Sequence, residues 1–299
     1  MKRLWIYAGC ILGCLLIIPT FVVYLGGYYD PNMINELSLE KTEEKQVQSE
    51  LNQKIIGVLA KEVPTNYEYE ALKAQAVLVR TYMLRRQLGI ITQGQLEGLT
   101  MQEMKDLWQE DFDEIYQNYE QAVNDTRDEV IYYEKEIIEP IYHRSSGGET
   151  RNAKEVYGMD IPYLQPVSSE GDPITQEIEI SKIEIATKLR QIYKGIIIDE
   201  NILEQQIQII RRDESEYITQ IQIGSNMMTG EELKKILGLP SSNFEIQNDE
   251  DKLMFKVKGI GHGVGLSQNG ANELAKNGSN YTQILSHYFT GTQIKKYSK

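Results

Sequence analysis

A glutamate between an apolar run and a proline turn is the first residue whose type and position could do chemistry. Glu62 follows the apolar run 55–60 and precedes Pro64, just ahead of an apolar helix that carries Arg80. Hydrophobic neighbours disfavour an ionised carboxylate by desolvation, so this carboxyl group could hold a proton and donate it as a general acid. The residues alone leave open the alternative of an exposed loop glutamate without a chemical role.

The three histidines are further candidates, because all of them lie beside glycines or serines. His143 precedes Arg-Ser-Ser-Gly-Gly, His262 lies inside the glycine-rich run 259–265, and His287 lies in the last predicted helix. Loops on a rigid scaffold are where binding and catalytic groups are commonly placed. The two histidines in turn-rich loops therefore point to a site there.

The glycine run 259–265 matches neither a dinucleotide fingerprint nor a nucleophile elbow. The fingerprint would need a third glycine at position 264, 266 or 268, and these positions hold Val, Leu and Gln. An elbow around Ser267 fails because the second glycine comes one residue too late. Such glycines allow positive φ angles or a close approach to a ligand. The alternative is a tight strand-to-helix connection with Ser267 or Asn269 as the helix cap.

Composition excludes several classes of function. The chain has 299 residues, with 31 Lys+Arg against 44 Asp+Glu and a formal net charge of -13. We therefore expect no nucleic-acid partner, because binding to a phosphate backbone needs clustered cations. The chain has two cysteines, which cannot build a disulfide framework or a thiolate zinc cage.

An uncharged N-terminal stretch predicts a single-pass membrane anchor. Residues 4–27 contain 24 positions without a charge and follow two basic residues. As a helix the stretch spans about 36 Å, enough for a hydrocarbon core of about 30 Å. The basic start places the N-terminus in the cytoplasm and the rest outside. A cleaved signal peptide usually has a shorter apolar region, and a lipoprotein signal at Cys10 or Cys14 would not be followed by more membrane-like sequence.

The domain organisation follows from this anchor. We predict a cytoplasmic start and anchor at 1–27, a polar stalk at 28–50 and an ectodomain at 51–299, in which 175–250 could form a second lobe beside a substrate cleft. Without the two N-terminal basic residues, 29 basic and 44 acidic residues remain, so the external part carries -15. Both cysteines lie in the anchor, which leaves the ectodomain without a thiol.

Helical and strand-like patterns are mixed along the ectodomain. Apolar residues at helical spacing predict a helix at 68–87, and capping-box sequences at 100–103 and 229–232 open two more. The run 55–60 suits a buried strand or the start of a helix. Strand-like runs occur at 130–133, 137–143, 177–180, 207–211, 217–223 and 253–257, and two helices at 269–276 and 281–289 close the chain. Because these elements lack a regular βαβ rhythm, we predict an α+β fold.

Several motifs occur in the order typical of one protein family. They are Glu62-Val-Pro, Glu70-Ala-Leu-Lys-Ala-Gln-Ala-Val, Arg80-Thr-Tyr, His143-Arg-Ser-Ser-Gly-Gly-Glu-Thr, Val156-Tyr-Gly, Tyr163-Leu and Gly261-His-Gly-Val-Gly-Leu-Ser-Gln-Asn-Gly-Ala. Over residues 52–294 the chain therefore resembles the stage II sporulation protein D (SpoIID) family, and less closely its amidase-enhancer branch.

The resemblance implies a lytic transglycosylase that cleaves peptidoglycan glycan strands freed of their stem peptides, in septal wall remodelling and engulfment during sporulation. It also implies partnership with the sporulation amidase (protein P) and membrane protein M, at the sporulation septum. In that chemistry one glutamate protonates the oxygen between N-acetylmuramic acid and N-acetylglucosamine. The same group then helps the muramoyl 6-hydroxyl close a 1,6-anhydro ring.

By motif position the implied catalytic residue is Glu62, and Arg80 matches an arginine expected at the substrate cleft. Its guanidinium could hold sugar oxygens or the muramoyl lactyl carboxylate. The weaker candidates for binding glycan or shaping the cleft are Ser146, Tyr163, His262 and Gln268. For these four residues a structural hydrogen-bonding role is an equally open alternative.

Two features depart from the family pattern. Some members bind zinc through His and Cys near the Ser-Gly-Gly loop, but the ectodomain has no Cys and its three His are scattered, so we expect no metal. Gln165 stands where relatives often have a basic residue, which would weaken a substrate contact beside Tyr163. Two other functions stay open: a glycan-binding scaffold that activates a partner amidase and, more distantly, a metal hydrolase.

Overall fold

Helices and mainly antiparallel strands are mixed along the chain, so the predicted α+β class is confirmed. A computed structural model describes residues 31–298 apart from 92–95, 170 and 173, with side chains from residue 46 onward. The predicted anchor at 1–27 lies outside the described residues. In the described ranges, no helix combines the length and apolar character that a membrane span requires.

Four helices open the described part. They are α1 (Pro31–Glu62), α2 (Tyr69–Gln87), α3 (Met101–Trp108) and α4 (Phe112–Asp125), with a 3-10 turn at Gln109–Asp111. The run 55–60 is therefore helical rather than a strand, and so are residues 31–50 of the predicted stalk. Glu, Leu, Lys and Gln dominate the α1 sequence, and their high helix propensity extends the helix through the apolar run.

The first strands bring two distant motifs side by side. β1 (Glu129–Tyr133) pairs with β2 (Glu136–Ile137) and with the C-terminal β11 (Gln293–Lys296), and both pairs are antiparallel. β3 (Tyr142–His143) pairs in parallel with β10 (Leu266–Ser267). This pairing joins the histidine-serine-glycine segment to the glycine-rich run.

The middle of the chain supplies two further three-stranded sheets. Its elements are α5 (Ala153–Tyr157), β4 (Thr175–Ser181), α6 (Lys182–Ile192), a 3-10 helix (Glu200–Gln206), β5 (Ile207–Arg212), β6 (Ile218–Ile223), β7 (Asn226–Met228), α7 (Gly230–Leu237), β8 (Phe244–Asp249) and β9 (Lys252–Lys258). The sheets have the orders β4-β9-β8 and β5-β6-β7. In β4, isoleucines at 178 and 180 alternate with more exposed glutamates, which is the pattern of a sheet with one buried face.

Two separate hydrophobic clusters organise this architecture. One is formed entirely by residues between Ile178 and Val257, from the two middle sheets, α6 and α7. The other combines α2, β1, β10 and the closing helices α8 (Gln268–Lys276) and α9 (Tyr281–Tyr288). The predicted domain boundaries and second lobe stay predictions, although the first cluster falls within the region predicted for that lobe.

Candidate active site

Glu62 is the last residue of α1 and lies at a fixed point of the backbone. Val63, which follows it, is buried and accepts a hydrogen bond through its carbonyl oxygen from Tyr119 Oη at 3.0 Å. The Glu62 side chain is half-buried, and among the described residues its carboxylate makes no hydrogen bond or ion pair. The pKa of the Tyr142 phenol is raised, mainly by burial and secondly by the charge of Glu62. Tyr142 therefore presents a neutral hydroxyl near this carboxylate.

Tyr67, five residues after Glu62, and Arg144, two residues after Tyr142, lie in contact with each other. Tyr67 is in the turn after α1 and donates from its backbone N–H to the carbonyl oxygen of Pro64 at 3.2 Å. The guanidinium of Arg144 lies over the Tyr67 ring at 5.3 Å from its centroid. Asn269 connects both, because its N–H donates to the Arg144 carbonyl oxygen at 3.0 Å and its Oδ1 accepts from Tyr67 Oη at 3.4 Å.

Arg80 lies inside the protein, at the C-terminal end of α4. Its side chain is 3% exposed and donates to the carbonyl oxygens of Val123 at 2.8 Å and Glu129 at 3.4 Å, and to Thr126 Oγ1 at 3.3 Å. A cation is stabilised there because carbonyl groups and the helix dipole face it. Burial lowers the pKa of Arg80 to about 10, which leaves it charged at neutral pH. The substrate contact predicted for Arg80 stays a prediction, while the described contacts are internal.

Ser146 is fully buried and fixes the serine-glycine loop. Its N–H and its Oγ donate to Asp172 Oδ2 at 2.7 Å and 2.5 Å, and Ser169 Oγ donates to the same oxygen at 3.0 Å. Three donors on one carboxylate oxygen hold the loop 145–148 against Ser169 and Asp172. The described role of Ser146 is therefore positioning of this loop.

Tyr163 and Gln165 both make internal hydrogen bonds. Tyr163 Oη accepts from the N–H of Glu139 at 2.8 Å, and its ring packs against Tyr133 at 5.4 Å between centroids. Gln165 Oε1 accepts from Asn152 Nδ2 at 3.3 Å, and Gln165 Nε2 donates to the Ile161 carbonyl oxygen at 3.1 Å. No described contact joins Tyr163 to Glu62.

His143 and His262 lie together at the β3–β10 junction, with ring centroids 5.6 Å apart. His143 Nδ1 donates to the Val264 carbonyl oxygen at 3.0 Å, and the Val264 N–H donates to His262 Nδ1 at 3.1 Å. Burial lowers the pKa of His143 to about 3 and that of His262 to about 4, so both rings are neutral at neutral pH. His143 Nε2 and Gln268 Nε2 are among the buried atoms that have no hydrogen-bond partner in the described residues.

The histidine pair does not supply a metal centre. In the part of the chain that the structure describes, no group of three or more His, Cys, Asp or Glu side chains is placed to hold a metal ion. His143 Nε2 offers one free lone pair, but a structural zinc site needs four ligands and a catalytic one three. The described residues therefore do not fit the His and Cys zinc site that the resemblance implies for some relatives.

Sequence reasoning missed a buried ion-pair network behind the glycine run. Arg151 Nε contacts Asp213 Oδ2 at 2.7 Å, and Arg151 NH1 contacts Glu231 Oε1 at 3.0 Å and the His262 carbonyl oxygen at 3.2 Å. Lys234 Nζ donates to the Gly261 carbonyl oxygen at 3.1 Å. The partners are 62 and 80 residues from Arg151, so no local pattern could identify them.

Known proteins share extended sequence similarity with this chain. A family model described as SpoIID, stage II sporulation protein, matches residues 39–133. Stage II sporulation protein D of Bacillus subtilis (strain 168) is 30% identical over 258 residues, which cover 82% of this chain and 74% of that protein. The chain belongs to the SpoIID family.

Two further relatives show how far the SpoIID likeness extends. Stage II sporulation protein D of Bacillus amyloliquefaciens is 28% identical over 82% of this chain and 74% of its own length. The amidase enhancer of Bacillus subtilis (strain 168) is 25% identical over 81% of this chain and 40% of its own length. The SpoIID model match includes Glu62 and Arg80 but ends at Tyr133, so the loops around His143 and His262 lie beyond it.

Proposed function

We propose that this protein is a lytic transglycosylase that cleaves the bond between N-acetylmuramic acid and N-acetylglucosamine in stem-free peptidoglycan strands. The observation that carries this proposal is the position of Glu62, half-buried at the end of α1 with no hydrogen-bond or ion partner among the described residues. Because no described residue occupies this carboxyl group, it is available to the glycosidic oxygen of a bound strand. Membership of the SpoIID family also supports Glu62 as the acid/base residue of this proposal.

Glu62 would act twice in one turnover. As an acid it donates its proton to the glycosidic oxygen while the bond from that oxygen to muramoyl C1 breaks. As a carboxylate it then accepts the proton of the muramoyl 6-hydroxyl, whose oxygen forms the new bond to C1. The products are a 1,6-anhydromuramoyl end and a free N-acetylglucosamine hydroxyl, with no water consumed. One acid/base suffices, unlike the carboxylate pair of most glycoside hydrolases.

The test is product analysis by mass spectrometry with the full-length protein in detergent and stem-free glycan strands. Wild-type protein should release ends lighter by one water than those of a hydrolase. Glu62→Gln should lose this release because an amide cannot cycle a proton; removal of one acid/base group commonly costs about 10²–10⁴-fold in rate. Glu68→Gln is the matched control, since Glu68 is exposed and near in sequence. Anhydro ends from Glu62→Gln, or hydrated ends from wild type, would overturn the proposal.

The predicted anchor extends the proposal to location and partners. We place the ectodomain outside the cell membrane, at the sporulation septum, acting with the sporulation amidase (protein P) and membrane protein M. The two cysteines lie in the anchor, which makes a single introduced cysteine a clean topology probe. Glu120 is exposed on α4, and Glu120→Cys should react in intact cells with a membrane-impermeant maleimide. Labelling only after cell lysis would contradict this location.

A second candidate function is a glycan-binding scaffold that activates a partner amidase. The similarity to the amidase enhancer of Bacillus subtilis favours it. Glu62→Gln separates the two functions, because a scaffold would still stimulate the amidase after its own cleavage is lost. If wild-type protein cut no strand and still stimulated the amidase, the scaffold function would replace the enzymatic one.

A further inference from the structure

Arg144 carries a cationic group that no carboxylate or carbonyl oxygen of the described residues occupies. Of three arginines in or next to the motifs, Arg80 is buried against carbonyl oxygens and Arg151 is held by two carboxylates. Arg144 is half-buried, and among the described residues its guanidinium has no carboxylate within 4.0 Å. Its described contact is the face of the Tyr67 ring. A guanidinium on an aromatic face keeps its hydrogen-bonding edge free for an anion.

Arg144 is connected to the neighbourhood of Glu62 through Tyr67. The Tyr67 ring lies under the Arg144 guanidinium and comes five residues after Glu62. The charge of Glu62 also acts on Tyr142, which precedes Arg144. Arg144 is two residues after Tyr142, a separation of at most about 7 Å in an extended chain. The turn after α1 and the segment 142–144 therefore bring Glu62 and Arg144 into the same region of the fold.

The Arg144 backbone and the Tyr67 ring beneath its guanidinium are held in place before any ligand binds. Asn269, at the start of α8, donates its N–H to the Arg144 carbonyl oxygen and accepts from Tyr67 Oη. Its Nδ2 donates to the Asp172 carbonyl oxygen at 2.8 Å, which connects this group to the serine-glycine loop. A side chain held in this way loses little conformational entropy on binding.

We propose that Arg144, stacked on Tyr67, binds the free lactyl carboxylate of the muramoyl unit whose C1 is attacked, and so selects strands without stem peptides. This inference rests on the proposed function. The lactyl ether is attached to C3, two ring carbons from C1, which agrees with a cation close to the acid. In a strand that carries a stem peptide the same carboxyl group is an amide. An amide has no charge, and a guanidinium prefers an ionised acceptor by a wide margin.

The test compares two strands that differ only at this group: stem-free glycan with free lactyl carboxylates, and the same glycan with every carboxylate converted to the methylamide. With full-length wild-type protein we expect kcat/KM for the free acid to exceed that for the amide about tenfold or more. Arg144→Gln should lower kcat/KM for the free acid to about the amide value and still give anhydro ends. Arg144→Lys should retain part of the preference, because a lysine keeps the charge but not the two-pronged donor.

Controls separate a folding defect and a failure of the proposed function from a failure of this inference. Arg211→Gln removes an exposed guanidinium elsewhere and should leave the preference unchanged. Thermal unfolding of each variant shows whether it folds. Calorimetric titration of both strands into Glu62→Gln, with and without Arg144→Gln, reads the preference without cleavage. Equal cleavage or binding of both strands by the Arg144-containing proteins, or an unchanged preference in Arg144→Gln, would overturn the inference. Absence of anhydro ends from wild type would instead overturn the proposed function, and the titration would still decide the role of Arg144.

Discussion

Removing the Arg151 side chain should strongly destabilise the fold behind the candidate site. Arg151 is 2% exposed and lies 2.7 Å from Asp213, whose side chain is 3% exposed. Arg151→Met preserves most of the aliphatic volume but leaves Asp213 as a buried charge without a cation. Breaking a buried ion pair in this way costs about 3–5 kcal/mol.

The contacts that Asp213 and Glu231 keep after the substitution place the expected loss of unfolding free energy in the lower part of this range. Asp213 Oδ1 still accepts from the Tyr217 N–H at 2.8 Å. Glu231 keeps Lys234 at 3.2 Å and Ser242 Oγ at 2.6 Å. Because the Glu231 side chain is 35% exposed, its lost contact with Arg151 is worth at most about 1 kcal/mol. We expect Arg151→Met to lower the free energy of unfolding by about 3–4 kcal/mol, most of it from Asp213.

The assay is urea unfolding of the full-length protein in detergent at neutral pH, followed by far-ultraviolet circular dichroism. Arg211→Met is the control, because Arg211 is 66% exposed and its loss should change the free energy of unfolding by less than about 0.5 kcal/mol. Asp213→Asn added to Arg151→Met removes the uncompensated charge and should recover about half of the loss. A loss below about 1 kcal/mol for Arg151→Met, or no recovery in the double variant, would refute this reasoning.

Two other properties of the site region can be tested directly. Burial lowers the pKa of His143 to about 3 and that of His262 to about 4. Below about pH 6.5 the unfolded chain therefore binds more protons than the folded protein. The free energy of unfolding should fall with pH in this range, by up to about 1.4 kcal/mol per pH unit for each ring. His143→Gln should weaken this slope in thermal unfolding between pH 7.5 and pH 5, and a slope equal to that of the wild type would contradict the assignment. Gly265→Ala should destabilise the β3–β10 pair, because Gly265 has φ 75° and a Cβ there would lie 2.1 Å from the Ile141 carbonyl oxygen. Backbone strain alone costs about 1–3 kcal/mol. An unchanged urea midpoint would contradict this expected clash.

Features encoded by neighbouring residues could be predicted from the sequence. Both capping boxes form as expected, since Thr100 and Glu103 exchange hydrogen bonds at the start of α3 and Thr229 and Glu232 do so at α7. Ser267, one of the two expected caps, accepts from the Gly270 N–H at 3.2 Å. Each of these signals depends on residues at most three positions apart, so no tertiary structure is needed to recognise it.

Features that depend on distant residues could not be predicted in the same way. The parallel pairing of β3 with β10 joins residues more than 120 positions apart, and each strand has only two residues, too few to show a periodicity. The apolar run 55–60 was ambiguous because a short apolar segment suits a strand and a helix equally well. Its helical neighbours in α1 decide the outcome.

The two arginines Arg80 and Arg144 differ in the internal partners of their guanidinium groups. Arg80 is the expected cleft cation by motif position, yet its described hydrogen bonds all go to α4, β1 and Thr126 in the turn between them. A guanidinium that satisfies these carbonyl oxygens cannot turn to a substrate without leaving them unpaired in the interior, which costs about 1–3 kcal/mol for each group. Arg144 has no such competing partners among the described residues, and its described contact leaves the charged edge free. A substrate carboxylate would therefore bind Arg144 without breaking an internal hydrogen bond, and this difference in cost is what favours Arg144 over Arg80 as the cation beside Glu62.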